Sequence, residues 1–269
     1  MNLEAICKQT TFLAKETGEF IRQERSQFSS DKVEVKGLHN FVSYVDTTAE
    51  KMLVKGLQKI LPQAGFIAEE GTVAEDDNPL KWIIDPLDGT TNFIHGLPPF
   101  AISIALMQED ELVLGVIYEV SLDECFYAWK GSKAYLNDKE IKVTRTDKVK
   151  DSLIATGFPY YDYDRLQMFL KSLDYFMKNS HGMRRLGSAA TDLAYVACGR
   201  FESFYEYGLS PWDVAAGALI VKQAGGKVCD FNAKEDFIFG KEIIASNGFV
   251  HEEFVQIVNK IFYDKNQKI

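Results

Sequence analysis

Residues 82–95 read Trp-Ile-Ile-Asp-Pro-Leu-Asp-Gly-Thr-Thr-Asn-Phe-Ile-His. The apolar run at the start is typical of a buried strand, and a residue that precedes proline is pushed towards extended backbone. The pattern therefore predicts that a strand ends at Asp85, with Asp88 and Gly89 directly after it. Carboxylates bind hard cations such as Mg²⁺, and a glycine turn lets backbone amides approach phosphate oxygens. The segment is a candidate site for a divalent cation and a phosphate.

An isolated Asp-Gly pair is usually only a turn signal. Here a proline, a second aspartate and two threonines lie at the same strand end, which favours a functional site. A phosphoaspartyl mechanism of the haloacid-dehalogenase type needs the pattern Asp-x-Asp-Gly-Thr, in which the first aspartate is the nucleophile. Pro86 occupies that position in this chain, so the sequence excludes this mechanism at the motif.

Two further segments place acids where an element begins or ends. Glu69 and Glu70 end a short apolar run, and adjacent acids alone are most often a solvated turn. Ser210 fits the N-cap of a helix, with Pro211 as its first residue and Asp213 in its first turn. Helix capping alone explains an acid at that position, because a carboxylate interacts well with the start of a helix.

Taken together, four carboxylates are candidate ligands of one cleft: Glu69, Asp85, Asp88 and Asp213. Without cations such a cluster repels itself. Two or three Mg²⁺ ions would turn it into a cage with residual positive charge, which an acidic chain needs in order to hold a phosphate.

These segments resemble the inositol monophosphatase family, within the larger group that includes fructose-1,6-bisphosphatase and the lithium-sensitive bisphosphate nucleotidases. The resemblance rests on residues 82–95, on the paired acids at 69–70 and on Trp-Asp-Val-Ala-Ala-Gly at 212–217, in the family's order and approximate spacing. Shorter matches extend it over nearly the whole chain, at 36–37, 45–46 and 187–190. It implies Mg²⁺-dependent, lithium-sensitive hydrolysis of inositol monophosphates by metal-activated water.

The resemblance also implies a role for each acidic residue. Glu69, Asp85 and the backbone carbonyl of Leu87 would hold a first Mg²⁺, and Asp85, Asp88 and Asp213 a second. A weaker third ion would lie near Glu69. Because oxygen ligands accept both metals, Mn²⁺ is an alternative to Mg²⁺.

The remaining implied roles concern the attacking water and the substrate. Thr90, paired with Asp46, would help to deprotonate the water, with Glu69 as the third catalytic residue and Lys36 as a charge near the metals. The residues implied to contact the phosphate or the sugar-alcohol hydroxyls are Asp88, Gly89, Thr90, Ala189, Glu206 and Asp213.

The order of elements predicts an α/β fold class in two parts. Residues 1–147 read as an α+β metal- and phosphate-binding domain with a largely antiparallel sheet, and residues 148–269 as an α/β domain that completes the site. The resemblance implies a layered α-β-α-β-α sandwich of the sugar-phosphatase type. Thr47 and Glu50 have the spacing of a capping box, which predicts a helix that starts after Thr47.

The composition and the net charge restrict the kinds of molecule that the chain is expected to bind. The chain has 269 residues with 46% hydrophobic content, enough for a full core, and a formal charge of −9, which argues against nucleic acid or anionic membrane as a partner. The N-terminal sequence lacks a signal-peptide pattern, and no apolar run reaches membrane-spanning length, so we expect a cytoplasmic protein. Four scattered cysteines predict reduced, buried thiols.

Several functions compete within this frame. Thr91-Asn92-Phe93 favours the inositol branch over a 3′(2′),5′-bisphosphate nucleotidase, and histidinol-phosphate phosphatase is a further alternative. Ala68 replaces a glycine found in many family members, and the aromatic residues 158–161 are predicted to lie over the pocket. A role as a non-catalytic accessory of transcription is a more distant alternative, because the metal set is intact. The resemblance also implies a homodimer.

Overall fold

A computed structural model describes residues 1–27, 33–37, 40–74, 78–160 and 162–263 of the chain. The helices in these ranges are α1 (Leu3–Ser26), α2 (Tyr44–Ile60), α3 (Thr90–His95), α4 (Leu166–Asn179), α5 (Ala189–Ala197), α6 (Pro211–Gln223) and α7 (His251–Tyr263). The strands are β1 (Val33–Gly37), β2 (Asn40–Ser43), β3 (Gly65–Ala68), β4 (Leu80–Asp88), β5 (Ala101–Gln108), β6 (Glu111–Glu119), β7 (Glu124–Trp129), β8 (Ala134–Leu136), β9 (Lys139–Ile141), β10 (Leu153–Thr156), β11 (Gly182–Arg184), β12 (Ser203–Tyr207), β13 (Lys227–Cys229) and β14 (Glu242–Ser246).

Strands β1 and β2 form a two-stranded antiparallel sheet of their own. Of the two main sheets, the larger has the order β3-β4-β5-β6-β7-β8-β9, and the smaller has the order β11-β10-β12-β14-β13. In the larger sheet only the β3–β4 pair is parallel among the described strands, so the predicted antiparallel character is confirmed. In the smaller sheet β10 runs parallel to both of its neighbours, and β14 runs antiparallel to both of its own. Both sheets are mixed, and the α/β fold class is confirmed.

Each sheet is covered on both faces, because successive side chains of a strand point to opposite sides. Ile84 packs in a core with α1 and α2, whereas the preceding Ile83 packs in a second core with α5 and α6. Phe204 of the smaller sheet belongs to that second core, and Tyr205 to a third one with α4 and α7. The layers therefore run α-β-α-β-α, as the resemblance implied.

Helix α6 lies in the middle layer, and its residues 214–221 are all nonpolar and buried, as expected of a helix segment surrounded by protein. Its backbone is approached closely from both directions. A Cβ atom on Gly115 of the larger sheet would lie 2.6 Å from the carbonyl oxygen of Ala216. A Cβ atom on Gly217 would lie 2.5 Å from the side chain of Leu193 in α5. Glycine at these two positions permits the close packing that fixes the helix between the sheets.

Two local predictions are wrong. Helix α2 begins at Tyr44, so Thr47 lies inside it and donates its hydroxyl to the Tyr44 carbonyl rather than capping the helix. The strand at Asp85 does not stop there, because β4 continues to Asp88 through a shift in register that accommodates Pro86, which has no N–H to donate. The division at residues 147 and 148 stays a prediction.

Two further observations concern the expected setting of the chain. All four cysteines are free, as predicted, but only Cys7, Cys125 and Cys229 are buried, whereas Cys198 is partly exposed. Within the described ranges, no helix combines the length and the apolar character that crossing a membrane requires. The side chain of Lys36, expected near the metals, lies outside the part of the chain whose side chains are described.

Candidate active site

A cleft of about 360 Å³ opens between the carboxyl end of β4, the start of α6 and the loop after β10. Its walls bring together segments that are more than 100 residues apart in sequence. The predicted site residues that line it are Glu69, Asp88, Gly89, Thr90, Ala189, Glu206 and Asp213. The aromatic loop predicted to cover the pocket also lines it, through Phe158, Pro159 and Tyr160.

Asp85, Asp88 and Asp213 converge on one point beside this cleft. Each offers a carboxylate oxygen, and the three oxygens lie within 4.8 Å of one another. The bulge in β4 places the first two, because its one extra residue lets both carboxylates face the same side of the sheet edge. The Asp85 side chain is further held by the N–H of Leu87, which donates to its Oδ1 at 2.8 Å.

Asp213 is both a capping residue and a member of the cluster. It lies in the first turn of α6, where its Oδ2 accepts the N–H of Ser210 at 2.6 Å. The capping interpretation and the site interpretation of this residue are therefore compatible. A carboxylate has two oxygens, so one can cap the helix while the other faces the cluster.

Glu69 follows β3 and stands at the open edge of the cleft. Its N–H donates to the carbonyl oxygen of Ile84 at 3.2 Å, which ties it to the residue before Asp85. Its carboxyl group lies beside that of Asp85, and the residue itself is exposed to solvent. Two carboxyl groups can share a hydrogen bond only if one is protonated, or a cation must separate them.

The electrostatics of the cluster call for a cation. Burial raises the pKa of Asp213 to about 7, with the charge of Asp88 adding to it, and burial raises the pKa of Asp88 to about 6. The pKa of Asp85 is also raised, first by burial and then by the neighbouring carboxylates. Oxygen donors that repel one another at this spacing suit a hard divalent cation, so the residues present fit Mg²⁺.

These raised pKa values predict how the stability of the metal-free protein depends on pH. A carboxyl whose pKa is higher in the folded than in the unfolded state makes the folded state bind more protons. The free energy of unfolding should therefore fall as pH rises from about 5 to about 8, and Mg²⁺ should remove most of this fall. Thermal unfolding at several pH values, with MgCl₂ or with NaCl at equal ionic strength, measures both effects. A Mg²⁺-induced rise in Tm of the same size at both ends of this range would contradict the prediction.

The turn after β4 carries the groups expected to bind phosphate and to act on water. Gly89 has φ 95°, in the left-handed region that favours glycine, and it caps α3. The Thr90 hydroxyl lies 3.0 Å from Oδ1 of Asp46 and 3.0 Å from the carbonyl oxygen of Leu87, and it can donate to either acceptor. The structure thus brings Thr90 together with Asp46, 44 residues away.

The far side of the cleft is formed by the second half of the chain. Ala189 begins α5, and Glu206 lies on β12. A Cβ atom on Gly157 would lie 1.9 Å from the Glu206 carboxylate, so only glycine leaves room for this acid. Burial raises the pKa of Glu206 well above its ordinary value, with Asp213 and Asp88 adding to the shift. A carboxyl group in this position is suited to bind the hydroxyl groups of a substrate.

Three residues that the sequence analysis did not single out also belong to the site. Ser188 donates its hydroxyl to Oδ2 of Asp88 at 2.7 Å and caps α5. Arg185 lines the cleft with its guanidinium over the rings of Phe158 and Tyr160. Asp192 is buried behind the cleft. Burial raises the pKa of its carboxyl group, and the nearby charges of Glu206 and Asp88 raise it further. Of the three, only Ser188 lay in a segment with a signal in the sequence, the match at 187–190. Its contact with Asp88 spans 100 residues and has no local signal.

The comparisons with known proteins agree with this geometry. The chain matches the profile of the inositol monophosphatase family over residues 2–263. It is 40% identical over 248 residues to an inositol-1-monophosphatase of Mesorhizobium japonicum, which covers 92% of this chain and 93% of that protein. It is 39% identical over 239 residues to the Nus factor SuhB of Pseudomonas aeruginosa, which covers 87% and 88% of the two chains. The structure of an IMPase from Thermotoga maritima has a TM-score of 0.86 and 36% identity, covering 94% and 96%.

The family match spans both sheets and all the segments that supply carboxylates to the cleft. Identity of about 40% over most of both sequences is well above the level at which only the fold is shared. The chain therefore belongs to the inositol monophosphatase family of phosphoric monoester hydrolases.

Proposed function

We propose that the protein hydrolyses inositol monophosphates to inositol and phosphate, with Mg²⁺ and with sensitivity to Li⁺. The convergence of Asp85, Asp88 and Asp213 beside the Thr90–Asp46 pair carries the proposal. Two to three Mg²⁺ ions are the cofactor, held by these aspartates, by Glu69 and by the carbonyl of Leu87. When bound, Mg²⁺ supplies positive charge for the phosphate and lowers the pKa of water.

The chain's own groups do the remaining work in this proposal. The backbone amides of Gly89 and Thr90 bind phosphate oxygens at the start of α3. The Thr90 hydroxyl accepts a proton from the attacking water and passes its own to Asp46, along the hydrogen bond of 3.0 Å. Asp88, Glu206 and the backbone of Ala189 receive the hydroxyl groups of the leaving sugar alcohol.

The substrate is tested by phosphate release from a panel of phosphomonoesters, with Mg²⁺, with EDTA and with added Li⁺. The panel holds inositol 1-phosphate, histidinol phosphate, adenosine 3′,5′-bisphosphate and fructose 1,6-bisphosphate. We expect Mg²⁺-dependent, Li⁺-inhibited turnover that is fastest on inositol 1-phosphate. Faster turnover of another member would keep the reaction type and replace the substrate.

Absence of turnover on the whole panel, with folded protein that binds Mg²⁺, would contradict the proposed function. It would favour a role closer to that of the Pseudomonas aeruginosa Nus factor, whose name describes a different activity. The intact carboxylate cluster supports catalysis instead. The homodimer and the cytoplasmic location stay predictions.

A further inference from the structure

A buried carboxylate on α2 holds the loop that carries Glu69. Glu50 is 0% exposed, and its two oxygens accept the N–H groups of Glu70 and Thr72, each at 2.7 Å. Between them Gly71 has φ 64°, in the left-handed region, which turns the two amides towards the same side chain. Hydrogen bonds to an ionised acceptor are short and strong, so the loop is clamped.

The same loop is held on its other side by β4. The N–H of Glu69 donates to the carbonyl oxygen of Ile84, and Asp85 is the next residue of that strand. Glu69 therefore lies between two fixed points, one on the strand that carries Asp85 and one on α2. These two fixed points place Glu69 in the lining of the cleft, next to the strand that carries Asp85.

Helix α2 carries a second contact to the cleft, one turn before Glu50. Asp46 accepts from the Thr90 hydroxyl, and residues four apart lie on the same face of a helix. The helix is anchored by Leu53 and Leu57, which are both fully buried in the core against the larger sheet. One rigid helix thus sets the position of the Glu69 loop and of Thr90.

We propose that Glu50 is a positioning residue that sets the affinity of the site for Mg²⁺ by holding Glu69 in place. Glu50 contacts backbone amides of the loop and is not among the residues that line the cleft. The inference rests on the proposed function only in taking Mg²⁺ as the cation that Glu69 binds. Residues that orient metal ligands in this way are known to change metal affinity when they are replaced.

The test compares Glu50→Gln with a matched control, Glu119→Gln. Glu119 is also 0% exposed and also accepts two backbone N–H groups, from Ser121 at 3.0 Å and Leu122 at 2.7 Å. It lies at the end of β6 and is not among the residues that line the cleft. Glutamine offers one acceptor oxygen where glutamate offers two, so each variant leaves one amide of its loop without its acceptor.

Calorimetric titration of the full-length, metal-free protein with MgCl₂ is the main measurement. We expect Glu50→Gln to raise the dissociation constant for Mg²⁺ about 10-fold or more, while Glu119→Gln leaves it unchanged. Hydrogen exchange at the amides of Glu70 and Thr72 should speed up only in the first variant. With inositol 1-phosphate, kcat of Glu50→Gln at saturating Mg²⁺ should stay within about threefold of wild type, because only ligand position changes.

Equal losses of Mg²⁺ affinity in the two variants, or no loss in Glu50→Gln, would overturn the inference. If Glu50→Gln does not fold, Glu50→Asp replaces it, because a shorter carboxylate keeps the charge and reaches the loop less well. Wild-type-like Mg²⁺ affinity in that variant would also overturn the inference. Wild-type protein that binds Mg²⁺ but hydrolyses no phosphomonoester would contradict the proposed function and leave the inference about Glu50 standing, because the comparison of Mg²⁺ affinities needs no turnover.

Discussion

Replacement of Asp213 by asparagine is expected to abolish Mg²⁺-dependent phosphate release while the protein stays folded. Asparagine keeps an oxygen that can accept the Ser210 N–H, so the helix cap survives. It removes one of the three carboxylates that converge within 4.8 Å, and with it a cation ligand. Loss of several kcal/mol of electrostatic stabilisation lowers kcat by about 1,000-fold or more.

In the metal-free protein, the same substitution is not expected to lower the free energy of unfolding. The substitution costs at most about 1 kcal/mol as a change of helix cap. It also relieves repulsion in the cluster, where burial and Asp88 raise the pKa of Asp213. Urea unfolding without Mg²⁺ should therefore give a free energy close to or above that of wild type, and added Mg²⁺ should stabilise the variant less.

Asp230→Asn is the matched control for this experiment. Asp230 is buried and its Oδ1 accepts the N–H groups of Asn232 and Lys234, each at 2.8 Å, in a turn outside the cleft. Its replacement should affect stability without affecting turnover. Activity close to wild type in Asp213→Asn would show that this residue acts only as a helix cap.

The second large effect is expected from Thr90→Val. Valine has nearly the same shape as threonine but cannot bond to Asp46 or to the Leu87 carbonyl. If Thr90 relays a proton from the attacking water, kcat should fall by about 100- to 10,000-fold. The Mg²⁺ affinity and KM should change little, because the backbone amide at this position remains. Steady-state kinetics at several Mg²⁺ concentrations separates these quantities.

Two controls distinguish proton relay from loss of a structural hydrogen bond. Thr90→Ser keeps the hydroxyl and should recover most of the activity. Thr10→Val removes a buried hydroxyl that donates to the Ile6 carbonyl at 2.9 Å in α1, far from the cleft. This variant should cost stability, about 1 kcal/mol, and leave kcat unchanged. A Thr90→Val enzyme with normal kcat would remove Thr90 from the mechanism.

The acidic cluster could be predicted from the sequence because its members lie next to residues that typically begin or end a helix or strand. Asp85 precedes a proline, Asp88 precedes a glycine, and Asp213 follows a Ser-Pro helix start. Each signal is local, and the family pattern supplied the pairing that local signals lack. The order of apolar runs predicted the α/β class in the same way, whereas the layered arrangement was implied only by the family resemblance.

The contacts that support the cluster could not be read in this way. Thr47 and Glu50 have the spacing of a capping box, but the helix starts earlier and Glu50 binds a loop 20 residues away. The proline predicted that β4 ends at Asp85, yet a bulge lets the strand continue, because β5 still pairs with it on either side of the bulge. In both cases a tertiary contact decided between local structures of similar free energy.

Because α6 is closely packed, the position of the cation ligand that it carries depends on the folded structure around the helix. Asp213 stands on a helix whose backbone is in contact with a strand on one side and another helix on the other. A shift of this helix would disturb its packing against both β6 and α5, so the position of Asp213 depends on the surrounding tertiary structure. Glu69 stands on a loop at the edge and lacks that protection. Mutations on the Glu69 side can therefore change metal affinity alone. Mutations that loosen the Asp213 side also lower the stability of the fold.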